Sequence, residues 1–299
     1  MDNHGKDKLR GKAMCKGIYV FLIISCYLLS SAYADNHRNP SVNSPKYYHW
    51  PLQEDAAVKI SQSIEPPEGY TRITLEDTSF GTWLRALPLL QNSNTVHLFN
   101  GDKKFNQLAQ HSIIDIDVGD KDLQQCADAA IRLRAEFLFS KKDYKSIHFN
   151  FTSGDNASWE EWAAGKRPVI KGNKVSWVHK SAQNHSYANF RKYLETVFTY
   201  AGSASLSREL ETVPNPAKIL PGDIFIQGGY PGHAVIVMDV AENSKGERVF
   251  LLAQSYMPAQ QVHLLRNPKI WNGPWYHAKS SGKLVTPEWI FNFKDLMRF

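Results

Sequence analysis

Between residues 221 and 265 the chain alternates β-rich apolar runs with turn residues, a pattern that few folds can accommodate. A Pro221-Gly222-Asp223 turn opens onto Ile224-Phe225-Ile226. The run Gly228-Gly229-Tyr230-Pro231-Gly232 then sets His233 directly before Ala234-Val235-Ile236-Val237-Met238. Further apolar runs follow at 249–253 and 262–265. Such runs, punctuated by Gly, Pro and Asn, form an antiparallel meander of core strands. If Asn243-Ser244-Lys245-Gly246 is a tight hairpin turn, Asn243 pairs with Gly246, and counting outward places His233 opposite Tyr256. Side chains alternate faces, so Gln254 shares the face of His233 one diagonal step away, where an amide oxygen reaches an imidazole.

The first 34 residues follow a different logic. Lys6, Lys8, Arg10, Lys12 and Lys16 precede an uncharged run over 17–31, and Ala32-Tyr33-Ala34 offers the small-x-small pattern of a signal-peptidase cut. Residues 1–34 are therefore expected to be a secretory signal, and the periplasm or cell envelope the destination. Anchoring at Cys26 through Ile24-Ser25-Cys26 is the rival reading, disfavoured by the apolar Tyr27-Leu28-Leu29 that follows. No later segment is expected to cross a bilayer. Five basic and two acidic residues leave with the signal, taking the net charge from +6 to +3, too mild a balance for a nucleic-acid surface. Of three cysteines the mature chain keeps only Cys126, which has no intramolecular disulfide partner.

Residues 35–66, carrying Asn, Ser, Pro and His, read as a linker or N-terminal extension, and 67–299 as a single domain. Thr78 or Ser79 is expected to cap a short helix that Pro88 ends, 96–101 to form a hairpin, and Ile114, Ile116 and Val118 to mark a half-buried strand. Asp122, with Gln125 three residues on, predicts a helix start that puts Cys126 in the first turns. Leu123, Ala127, Ala130, Ile131, Phe137 and Leu138 give that helix an apolar stripe, with Arg132, Arg134 and Glu136 beside or opposite it. Ser158 and Ser186 cap two further helices, and the tail with Trp271, Trp275 and Trp289 reads as irregular wrapping.

The chemistry these parts allow is nucleophilic. A thiol at a helix N-terminus sees the positive end of the helix dipole, which favours thiolate; an imidazole completes the activation and a third group orients it. Cys126, His233 and Gln254 are the candidates, against the plain alternative that Cys126 fills a core and His233 and Gln254 serve backbone groups. Asp115, Asp117, Asp120 and Asp122 crowd one loop, but glycine falls at the fifth place and no glutamate closes it, so the calcium-loop pattern fails. A carboxylate pair, Asp155 with Glu160 or Asp223, is a further alternative. No dinucleotide, phosphate-loop or zinc-protease motif is present, so no cofactor and no metal are expected.

Several segments resemble an uncharacterised family of exported bacterial proteins, domain of unknown function 4846. They are Asp122-Leu-Gln-Gln-Cys-Ala-Asp128, Arg132-Leu-Arg-Ala-Glu136, His148-Phe-Asn-Phe-Thr-Ser-Gly-Asp155, Phe198-Thr-Tyr-Ala-Gly202, Pro221-Gly-Asp-Ile-Phe-Ile-Gln-Gly-Gly229, Pro231-Gly-His-Ala-Val-Ile-Val237 and Leu252-Ala-Gln-Ser-Tyr-Met-Pro-Ala-Gln260. The resemblance implies a bacterial source and supplies no established activity. The order Cys126, Pro221-Gly222-Asp223, His233, Gln254 is also similar to NlpC-type and CHAP-type papain-like cell-wall hydrolases. It departs from them in the Gln125 and Ala127 that flank the cysteine and in the long interval to His233.

The expectation is thus a single α+β domain, its C-terminal antiparallel sheet packed on helices in a papain-like manner. Its function would be that of an envelope thiol hydrolase, a peptidase or amidase acting on peptidoglycan or other peptide amides. Cys126 attacks, His233 shuttles the proton, Gln254 orients His233, and Asn150, Thr152, Asp155 and Tyr256 contact the cell-wall peptide or glycan. The competing class is a non-catalytic glycan- or peptide-binding envelope protein.

Overall fold

The computed structural model describes residues 48–53, 58–270 and 273–299. The expected signal with Cys15 and Cys26, most of 35–57, and Trp271 lie outside the described residues. Ser79 accepts the Thr82 N–H at 3.2 Å and starts helix α1 (Phe80–Arg85), as its sequence predicts. Strand β1 (Gln110–Ile113) precedes helix α2 (Cys126–Ser140). Ser186 caps helix α3 (Tyr187–Tyr200) by accepting the Asn189 N–H at 3.3 Å, and α4 (Ser203–Glu209) follows almost at once.

The meander then appears as β2 (Ile224–Gln227), β3 (His233–Asn243), β4 (Arg248–Gln254) and β5 (His263–Leu265), and the chain finishes with β6 (Leu296–Arg298). These strands form one antiparallel sheet in the order β1-β5-β4-β3-β2-β6, with Glu211–Thr212 beyond β6. The protein is therefore a mixed α+β domain built on a large antiparallel sheet.

Both faces of that sheet are covered, which is why its strands carry apolar residues at nearly every position. Ile224, Ile226, Ala234, Ile236, Leu251 and Ala253 pack with the helices. Phe225, Val235, Val237, Phe250 and Leu252 pack instead with Phe291, Phe293 and Leu284 of the C-terminal tail. The parity flips once. A bulge between Val237 and Asp239 puts Val240 on the tail side and Ala241 on the helix side.

That bulge decides the register at the far end of β3. The hairpin turn is one residue longer than the sequence predicts: the Asn243 N–H reaches Glu247 O at 3.0 Å, and Glu242 pairs with Arg248. The bulge takes the extra residue back, so Ile236 pairs with Ala253, the partner expected from the shorter turn. Two departures of one residue cancel.

Other local expectations are corrected. The strand read at 114–118 lies earlier, at β1, and Asp115 is buried, its carboxylate accepting the Gln53 N–H at 2.9 Å. The 96–101 segment does turn back on itself, Leu98 N–H reaching Asp102 O at 2.8 Å and Lys104 N–H reaching Val96 O at 2.9 Å, but its pairing is limited to isolated bridges, His97 with Lys103 and Leu98 with Gln260. The tail is not irregular: besides β6 it pairs Lys283–Val285 with Ile290–Asn292 and sends Tyr276–His277 to β4. N-terminal residues join the core as well, Trp50 at 2 % exposure with its Nε1 donating to Asp115 O at 2.8 Å, and Ile60 and Ile64 beside it.

Candidate functional site

Helix α2 begins three residues later than the Asp122 cap implies. Gln125 is the N-cap residue, and the Asp128 carboxylate accepts its N–H at 3.1 Å. Cys126 is thus the first helical residue, among backbone N–H groups that the helix itself leaves unpaired. Asp122 has another task. Its Oδ1 accepts from Gln125 Nε2 at 3.0 Å and from the Ala259 N–H at 2.6 Å, tying the helix start to the loop after β4.

A cavity of about 650 Å³ opens where α2, α4 and β3 all begin, lined by Cys126, Asp128, Ser203, His233, Tyr256 and Trp289. The glycine run before β3 makes this convergence possible. A Cβ at Gly232 would stand 2.4 Å from Gly229 O and 2.5 Å from Ser203 Oγ, so only glycine lets the loop close over the start of α4. Tyr230 and Met257, 96 % and 59 % exposed, stand at the mouth.

His233 lies on the tail-facing side of β3 and is buried. Its ring packs among Tyr256, Trp289 and Phe291, with centroids at 4.8, 5.2 and 5.8 Å. Its Nε2 meets Gln254 Oε1 at 2.9 Å, the contact that the register argument expects. Gln254 Nε2 in turn reaches Glu288 Oε2 at 2.7 Å and His263 Nε2 at 3.4 Å. Glu288 Oε1 accepts from Lys104 Nζ at 2.6 Å and Asn106 Nδ2 at 3.1 Å. Sequence reasoning missed Glu288, Lys104, Trp289 and Asp128. The first three come from segments far from the strands they serve, and no spacing rule links them.

The electrostatics set the resting protonation. Burial pushes the Cys126 thiol up to about 11, against the pull of the backbone N–H groups of Ala234, Ala127 and Cys126 itself. Desolvation pushes His233 down to about 4, against the Gln254 hydrogen bond and the charge of Glu288. The helix dipole was expected to favour thiolate; desolvation outweighs it, and the pair rests as thiol and neutral imidazole. Burial also raises the Asp128 carboxyl well above its ordinary range.

Of the residues expected to contact substrate, Tyr256 lines the cavity and the other three do not. Asn150 Oδ1 accepts from Asn156 Nδ2 at 3.2 Å, and Asp155 Oδ2 accepts from Ser153 Oγ at 2.8 Å. Thr152 borders a separate cavity of about 400 Å³ with Phe151, Asn173 and Tyr200. The alternative carboxylates are engaged elsewhere: Asp223 is buried and held by Arg298 at 2.6 and 2.8 Å. In the aspartate-rich loop, Asp117 pairs with Arg132 at 3.0 Å and Arg191 at 2.6 Å. Among the described residues no helix is long and apolar enough to cross a membrane.

Fold and cavity together define an α+β protein that gathers a thiol, an imidazole and a side-chain amide at one end of an antiparallel sheet. The chain belongs to the family described as domain of unknown function (4846), which it matches over residues 60–298. No curated protein and no solved structure matches it.

Proposed function

We propose that the protein is a thiol hydrolase of the bacterial envelope, cutting peptide or amide bonds of the peptidoglycan class. The observation that carries this reading is the shared cavity: Cys126 and His233, 107 residues apart in sequence, both line it, and Gln254 is bonded to the imidazole. In this scheme Cys126 Sγ attacks the carbonyl carbon while its proton passes to His233. The C–N bond then breaks as the imidazolium returns that proton to the leaving amine. Water cleaves the resulting thioester, releasing the acid and restoring the thiol. Unpaired N–H groups at the start of α2 are the donors available to the oxyanion. Tyr230 and Met257 at the mouth supply apolar surface for a peptide or glycan.

Because the pair rests neutral, His233 acts as a general base and not as half of a preformed ion pair. A base must be unprotonated, so hydrolysis is expected to hold as pH falls toward about 4 and to fail as pH drops through that value. The decisive experiment digests muropeptides with wild-type protein and with Cys126→Ala and compares products by mass spectrometry. New cleavage products in the wild type alone support the reading. Identical profiles leave a non-catalytic glycan- or peptide-binding protein, whose binding the same muropeptides would report by calorimetry.

A further inference from the structure

A glutamine that orients an imidazole has an ambiguity the carboxylate of a serine-protease triad lacks. Rotating the amide by 180° exchanges oxygen for NH₂ at almost no steric cost, and the exchanged amide would bind the other tautomer of the ring. Something must choose. Around Gln254 two acceptors make the choice. Glu288 Oε2, 2.7 Å from the amide nitrogen, belongs to a carboxylate whose charge Lys104 balances at 2.6 Å, and an ionised carboxylate only accepts. His263 Nδ1 lies 2.9 Å from Gln261 O, and a carbonyl also only accepts, so Nδ1 carries the hydrogen and Nε2 presents its lone pair to the same amide nitrogen at 3.4 Å. Both amide hydrogens are thus spoken for, and the oxygen must face His233.

We infer that Glu288 is a positioning residue: by taking one amide hydrogen of Gln254 it aims the amide oxygen at His233, holds the imidazole as its Nε2–H tautomer and leaves Nδ1 as the proton acceptor. Its other oxygen, engaged by Lys104 and Asn106, fixes the carboxylate so that Oε2 alone serves the amide. The next residue, Trp289, packs on the His233 ring and lines the cavity, so one tail segment sets both the tautomer and the plane of the base. The catalytic consequence rests on the hydrolase reading. The tautomer does not.

The test uses the full chain labelled with ¹⁵N-histidine, read by long-range ¹H–¹⁵N correlation at neutral pH. Wild type is expected to show His233 protonated at Nε2 only. Glu288→Ala is expected to bring in the Nδ1–H form, and Glu288→Gln, which keeps an acceptor oxygen, to restore the wild-type pattern. Should Glu288→Ala unfold, Glu288→Met with Lys104→Met, which removes both charges together, carries the same measurement. On muropeptides, Glu288→Ala should lower kcat on the order of tenfold with KM little changed. An Nδ1–H tautomer in the wild type, or an unaltered tautomer in the alanine or double-methionine variant, overturns the inference, whatever the digestion shows. A flat digestion profile with the expected tautomers overturns only the hydrolase reading.

Discussion

Cys126 occupies the first position of a helix and yet keeps its proton. A helix N-terminus is worth about 0.3–1 kcal/mol to a negative charge, and up to about 2 in partly buried geometries. Raising the thiol from 9.0 to about 11 costs the thiolate more, roughly 3 kcal/mol. Alkylation by iodoacetamide should therefore be slow at pH 7, with about one thiol in ten thousand ionised, and climb about tenfold per pH unit until pH approaches 11. Stopped-time mass spectrometry across pH 6 to 11 measures this. A plateau already at pH 6 to 7 would show an ion pair formed before substrate arrives and would refute the general-base role. Such residue-level chemistry was half legible: Cys126, His233 and Gln254 are visible as residue types on suitable elements. The rings that take water away from His233 are those of Trp289, Tyr256 and Phe291, from segments outside β3.

Among the elements, α2 departs furthest from its amphipathic pattern. Arg132 and Glu136, expected beside or opposite the apolar stripe, are 0 % and 1 % exposed and pair at 2.7 Å. Tyr187 donates to the same Glu136 oxygen at 2.7 Å, and Arg132 also reaches Gln124 Oε1 at 2.8 Å. The helix is enclosed nearly all round, so its polar residues meet partners and not water. Arg132→Met should cost about 3–5 kcal/mol, because it strands a buried carboxylate. Arg132→Met with Glu136→Met should cost less than that single change, and urea denaturation of the double-mutant cycle reads the difference. Asp117 keeps Arg191 at 2.6 Å in either case. A double variant weaker than both singles combined would mean that the pair does more than cancel its own desolvation. The sequence pattern misled here because charged residues at helical spacing normally mark a solvated face, and Trp50, Gln124 and Tyr187 from other segments take the place of that solvent. The meander fared better. Its register rests on strand alternation over a few residues, and although the turn was misread by one, the bulge at Met238 returned His233 to the side of Gln254.

At the scale of the whole molecule, segments far apart in sequence close the fold around the central sheet. Trp50 is buried against Asp115, and β6 is inserted between β2 and Glu211–Thr212, where Arg298 holds the buried Asp223. Removing that guanidinium should destabilise the fold by about 2–4 kcal/mol in urea, since the buried Asp223 side chain would be left with the Leu220 N–H and without its two bonds to Arg298. Adding Asp223→Asn should recover part of the loss. If Arg298→Ala unfolds at the wild-type urea midpoint, Asp223 is satisfied by other means. The sequence shows Asp223 in a Pro-Gly-Asp turn, and no spacing rule links that turn to an arginine at position 298.

The route of the tail carries one last consequence. Residues 288 and 289 supply the carboxylate behind Gln254 and the indole beside His233, in the same tail that ends in β6. The imidazole thus owes its hydrogen-bonded and aromatic surroundings to a stretch some fifty residues further along the chain. Displacing the 288–289 stretch would strip His233 of its indole neighbour and Gln254 of its carboxylate partner in one movement.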